Sequence, residues 1–200
     1  MKFSILYVCT GNICRSPLAE RYTVHRLAHT ARDVAHLVRV ASAGVHGLEG
    51  YPMDPLAEAE LNRYGGLGAG FSARRLLASH VESADLVLTM TLEQRGAALA
   101  EAPTALRRTF TLLEAADLVG LVGTDGRLDA VPVGPAGLVA AMAARRGQAR
   151  LEQYDVDDPI GLPREVHAAV ADVIAGAVDM VVAALVPSLR QLITTADPGG

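Results

Sequence analysis

The sequence has no tryptophan, only two cysteines, and no cluster of lysine and arginine. With a formal net charge of −4 and no basic patch, the chain carries no electrostatic footprint for nucleic acid or an anionic membrane. Any attraction for an anion must therefore be local. Two cysteines inside one short loop exclude a disulfide scaffold and point to a reducing compartment, so a cytoplasmic location is expected. The apolar run after Met1-Lys2 passes straight into a polar loop with no small-residue cleavage site, and it does not read as a secretory signal. No internal repeat is present. What remains is 200 residues, half of them apolar, enough for one domain with a substantial core.

The informative stretch is Val8-Cys9-Thr10-Gly11-Asn12-Ile13-Cys14-Arg15-Ser16-Pro17. It follows the apolar run Phe3 to Val8 and precedes a helix-compatible segment, which predicts a strand, a tight loop and a helix N-terminus. Successive N–H groups in such a loop converge on an anion, and the helix dipole adds positive potential. Cys9 stands at the loop entry, where that field favours a nucleophilic sulfur. Arg15 stands at the exit with a planar fork of donors for two phosphate oxygens. Gly11 and Asn12 are residue types that tolerate left-handed backbone. Ser16 reads either as a helix N-cap ahead of Pro17 or as a hydroxyl donor to the Cys9 sulfur. A nucleotide-binding P-loop fits poorly, because that motif needs a second glycine followed by Lys and Ser/Thr.

Cys9 through Pro17 resembles the signature loop of the low molecular weight phosphotyrosine protein phosphatases. The resemblance implies that Cys9 is the nucleophile forming a phospho-cysteine intermediate and that Arg15 binds phosphate and stabilises the transition state. Thr10, Gly11, Asn12, Ile13, Cys14 and Ser16 would complete the phosphate cradle. It also implies that Ser42 supports the loop by hydrogen bonding, although Ser42-Ala43-Gly44 reads equally as a plain turn. In that family Cys14 can pair with the nucleophile in a reversible disulfide; the alternative is that it merely packs. Family members specific for phosphotyrosine use an aromatic wall near residues 46–55, where this chain offers only Tyr51. They also often carry a histidine about where Phe71 stands.

Tyr154-Asp155-Val156-Asp157-Asp158-Pro159 supplies a second motif. Ester hydrolysis needs a proton for the leaving oxygen, and a carboxylic acid held over the pocket can deliver it and then activate water. By resemblance Asp158, directly before Pro159, is that acid. Ile160 and Gly161 follow, where phosphotyrosine-specific members have aromatics.

Apolar segments at Phe3–Val8, Val38–Ala41, Ala84–Thr91 and Arg108–Leu112 alternate with helical patterns. They predict a three-layer α/β/α fold with a four-stranded parallel sheet and the site at the strands' C-terminal ends. His25 and His29 lie one helical turn apart but lack a third metal ligand nearby, so a solvated helix face is expected. Helices are expected from Pro17 to about Leu37, broken near Thr30, and at Pro55–Tyr64 and Pro135–Arg146. A long apolar helix should run from Arg164 to about Val186, ended or kinked by Pro187. Its Asp172 and Asp179 argue for packing on the sheet against membrane insertion. The domain is expected to cover 1–193, with an insertion at about 120–153 and a disordered tail at 194–200.

The expected activity is hydrolysis of phosphate monoesters, above all protein phosphotyrosine, with no metal and no cofactor. The partner is a phosphorylated protein or a small phosphate ester. Two rivals remain: an arsenate reductase using the same loop, and a non-catalytic anion- or partner-binding protein.

Overall fold

A computed structural model describes residues 2–124, 134–150 and 152–196. Strand β1, Phe3–Cys9, is buried at all seven positions. It is flanked by β2, Val38–Gly44, and β3, Leu86–Thr89, and β4, Thr109–Thr111, completes a sheet of order β2-β1-β3-β4. Every pairing is parallel, with Cys9 opposite Gly44 on one side and Val8 opposite Thr89 on the other. Parallel neighbours require crossovers, and helices supply them.

Alternate residues of β1 feed two cores, which is why an unbroken apolar run suits it. Phe3, Ile5, Tyr7 and Cys9 face one layer, built from α1 (Arg15–Thr30), α3 (Pro55–Arg63), α6 (Leu112–Thr124), α7 (Pro135–Ala144) and α8 (Arg164–Ala196). Leu6 and Val8 face the other, where Val81 of α4 (Ala78–Glu82) and Ala98 of α5 (Leu92–Glu101) cover the sheet. A short α2, Arg32–Ala35, follows α1, so the expected break near Thr30 is present. The three-layer α/β/α fold with four parallel strands is the one expected.

Several boundaries differ from expectation. β2 runs through Ser42 to Gly44, so Ser42 belongs to a strand and not to a turn. α8 passes through Pro187 and reaches Ala196. Proline removes one helical hydrogen bond, but Leu185 and Leu189 are buried on either side of it, and that packing keeps the helix continuous. α7 is no surface excursion: its Leu138, Val139 and Met142 are buried in the main core. Positions 125–133, 151 and 197–200, which include part of the expected insertion and tail, lie outside the described residues.

α8 is long and apolar enough to cross a membrane by length and composition. Here its apolar stripe, including Ala171, Ile174, Val178 and Val181, is buried within the protein core. Two of its three acids serve helix contacts: Asp179 accepts from Tyr22 Oη (3.0 Å) and Arg26 Nε (2.6 Å), and Asp172 from Tyr64 and Arg63.

Candidate active site

The loop between β1 and α1 turns its carbonyls outward. The carbonyls of Cys9, Thr10, Gly11 and Ile13 accept from the N–H groups of Val45, His46, Leu48 and Asp54, at 2.7–3.0 Å. Among the described residues, the N–H groups of Thr10 to Cys14 donate to nothing. This leaves a ring of amides pointing inward, the arrangement that receives an oxyanion.

Asn12 makes the turn possible. At φ 57° it is the one non-glycine residue with positive φ among those described, and Asn tolerates that conformation better than other side chains. Gly11 does not share it, so the left-handed turn expected at both positions is taken by Asn12 alone. The buried Asn12 amide also ties the loop together. Nδ2 donates to Ser16 Oγ (2.9 Å) and Ser42 Oγ (2.8 Å), and Oδ1 accepts from Arg74 N (2.9 Å). Ser42 in turn donates to Glu20 Oε2 at 2.5 Å.

The two uses of Ser16 are now separated. α1 begins at Arg15, its N-terminus has no side-chain cap, and Ser16 lies inside the first turn. Its Oγ sits 3.0 Å from Cys9 Sγ. Because this oxygen already accepts from Asn12, its own proton is available to the sulfur.

Arg15 is buried, with Nη1 donating to Val156 O (2.9 Å) and Nη2 to Asp158 Oδ2 (2.5 Å). Asp158 has travelled from a loop 143 residues away. That loop is held at the end of β3: Val156 N donates to Met90 O (2.8 Å), and Leu92 N donates to Asp155 Oδ1 (2.8 Å). Cys9, Arg15 and Asp158 line one cavity of about 240 Å³, together with Ile13, His46, Leu48 and Ile160. Tyr51 is 60% exposed and outside that lining, so the wall expected of it is made by Leu48 and His46. Phe71 is outside that lining too, with the Arg21 guanidinium 5.7 Å from its ring centre.

Cys14 is buried beside the site. Burial above all, and then the charges of Cys9, Asp54 and Asp158, push its thiol well up. Its sulfur lies 3.9 Å from His167 Nδ1, which is 3.8 Å from Asp54 Oδ1. His25 and His29 stack at 4.0 Å on α1. Among the described residues no group of three His, Cys, Asp or Glu could hold a metal ion.

A family model for low molecular weight phosphotyrosine protein phosphatase matches residues 4–119. The chain belongs to this family. It is a cysteine-based phosphatase. The low molecular weight protein-tyrosine-phosphatase Etp of Escherichia coli K12 is 41% identical over 111 residues, spanning 55% of this chain and 70% of the relative. A protein-arginine-phosphatase of Geobacillus stearothermophilus is 29% identical over 179 residues, 90% of this chain and 93% of the relative. Among solved structures, the YwlE arginine phosphatase of G. stearothermophilus superposes with a TM-score of 0.66 at 26% identity, covering 99% of both chains. The low molecular weight protein tyrosine phosphatase of T. tengcongensis gives 0.65 at 27%, covering 91% of this chain and 99% of that one.

Several residues of the phosphatase site escaped sequence reasoning. Gln94 donates to Thr10 Oγ1 (3.1 Å) while its Oε1 accepts from Met90 N and Thr91 N. Glu20, one helical turn past Ser16, holds Ser42. Gly44 lies against the loop so closely that a Cβ there would meet Thr10 O at 2.5 Å and Asn12 N at 2.8 Å. The sequence marks Gly44 only as the last residue of a turn after the expected strand Val38–Ala41.

Proposed function

We propose that this phosphatase hydrolyses protein phosphotyrosine through a phospho-cysteine intermediate formed on Cys9. The observation that carries the reading is the ring of unpaired loop amides over a sulfur that Ser16 can hydrogen-bond. The phosphate seats in the cradle of Thr10, Gly11, Asn12, Ile13, Cys14 and Ser16, with its equatorial oxygens on the loop amides and on Arg15. Arg15 Nε is buried without a hydrogen-bond partner among the described residues, a donor suited to one of those oxygens. Cys9 attacks phosphorus in line as the ester oxygen leaves, and Asp158 gives that oxygen a proton. Water then attacks phosphorus, Asp158 takes its proton, and inorganic phosphate and the free Cys9 sulfur are released. Because Asp158 is bonded to Arg15 before substrate arrives, phosphate binding turns Arg15 toward its oxygens and frees the carboxyl for the leaving group. Ser42 acts only through Asn12, holding the loop in shape.

Protein phosphotyrosine suits the cavity walls. Ile13, Leu48 and Ile160 are apolar faces for a flat ring. Phosphoarginine is the second reading, favoured by the similarity along nearly the whole chain to a protein-arginine-phosphatase. A phosphorylated guanidinium carries N–H donors, however, and of the lining residues only Asp158 brings a carboxylate to meet them. Cys14 forms a reversible disulfide with Cys9 under oxidation, a reading supported by two free buried cysteines in one loop. A cytoplasmic site of action fits the same pair of free thiols.

The test is p-nitrophenyl phosphate hydrolysis in chelator by the wild type, Cys9→Ser and Asp158→Ala. The first change should abolish turnover, and the second should lower kcat by about 10²-fold or more. No wild-type turnover under reducing conditions would reject the reading. A phosphoarginyl peptide hydrolysed with higher kcat/KM than a phosphotyrosyl peptide would reverse the choice of substrate.

A further inference from the structure

A larger cavity, of about 500 Å³, opens behind the phosphate loop at the β2 edge of the sheet. It is bounded by β2, the Glu20-Arg21 turn of α1, residues 70–74 and α4. Three guanidinium groups, Arg21, Arg39 and Arg74, line it against a single carboxylate, Glu20. The exposed Arg39 side chain makes no hydrogen bond or ion pair with another described residue. Arg21 Nε is buried with no hydrogen-bond partner among them, the nearest carboxylate oxygen being Glu20 Oε1 at 3.9 Å. Arginines converging on a concave space without enough carboxylates to neutralise them form an anion site.

We propose that this cavity binds a compact organic polyanion, a carboxylate-bearing small molecule, and that occupancy lowers turnover at Cys9. The route is a short chain of hydrogen bonds. Arg74 Nε donates to Ser42 O at 2.6 Å, and Arg74 N donates to the Asn12 side chain. Glu20 accepts from Ser42 Oγ, and Asn12 joins Ser42 to Ser16 and so to Cys9. An anion drawing Arg74 inward competes with Ser42 O for its guanidinium. It also opposes the Glu20 carboxylate, whose charged form burial already disfavours. Both effects loosen the support of Asn12, on which the loop conformation depends. The site is distinct from the substrate pocket: none of its three arginines lines the cavity over Cys9.

The probe is citrate, titrated calorimetrically into the wild type and into Arg39→Glu with orthovanadate saturating the substrate pocket. Arg39 is exposed at the cavity rim and makes no bond to the loop, so the variant keeps the basal turnover of p-nitrophenyl phosphate. The expected result is saturable binding to the wild type with a Kd below about 1 mM, weakened at least about tenfold in Arg39→Glu. Citrate should lower wild-type kcat with little change in KM, and this effect should vanish in the variant. Citrate binding that vanadate abolishes, that Arg39→Glu leaves intact, or that is absent altogether would overturn the site. Binding that leaves kcat unchanged would overturn its coupling to Cys9.

Discussion

Replacing Asn12 tests the physical account of the loop most directly, because two separable effects meet in one side chain. Asn12→Ala removes an amide that makes three hydrogen bonds, to Ser16, Ser42 and Arg74. The serine hydroxyls keep partners in Cys9 and Glu20, so the loss falls short of three orphaned groups. About 2–3 kcal/mol is expected, at roughly 1 kcal/mol per bond. The variant also forces alanine to φ 57°, which costs about 1–2 kcal/mol. Asn12→Gly loses the same bonds without that strain, although glycine adds freedom to the unfolded chain. Urea unfolding should therefore rank wild type above Asn12→Gly, and Asn12→Gly above Asn12→Ala by about 1 kcal/mol. Both variants should lose most of their kcat on p-nitrophenyl phosphate, because the ring of amides is no longer held. Equal stabilities for the glycine and alanine variants would refute the backbone argument. A kcat within twofold of wild type in both would refute the role of the network in shaping the site.

Gly44→Ala should destabilise the protein by about 1–3 kcal/mol in urea and lower kcat, because its methyl group meets backbone atoms of Thr10 and Asn12 that cannot yield cheaply. Burial holds the Glu20 carboxyl above its ordinary value, so the folded state binds its proton more tightly than the unfolded chain. That contribution is present at low pH and is lost as pH rises through the folded value. Glu20→Gln should therefore gain stability relative to wild type as pH increases, measured by thermal melts across the acidic to neutral range; a constant difference would contradict the burial argument. Cys14→Ser should keep its turnover when reduced yet fail to recover it after peroxide followed by dithiothreitol, while the wild type recovers. Full recovery in the variant would count against the disulfide.

Local features were legible because their partners are close in sequence. The strand, loop and helix from Phe3 to Thr30 follow from an apolar run, a polar loop and a helical pattern within thirty residues. The spacing of Cys9 and Arg15 within one loop already implied a shared anion. All four strands were found, since strands buried on both faces stand out as apolar runs. Boundaries were less secure: β2 extends through Ser42, and α8 continues past Pro187 because buried leucines outweigh one missing hydrogen bond.

Interactions across the fold were not legible. That Ser16 faces the Cys9 sulfur instead of capping α1 depends on the helix starting at Arg15 and not two residues later at Pro17. That Leu48 and His46 wall the pocket while Tyr51 faces solvent depends on how residues 45–54 pair with the loop carbonyls. The amino-acid sequence by itself determined the fold class, because strands buried on both faces and helical patterns between them read locally; it offered the Cys9 loop as a candidate anion site, and Asp158 as a candidate acid by family resemblance. Only the tertiary structure decided that Asp158 meets Arg15, that Glu20 and Ser42 brace Asn12, and that three arginines share a cavity behind the loop. Those contacts join segments far apart in the chain, and it is the packing of helices on both faces of the sheet that brings them within a few ångströms.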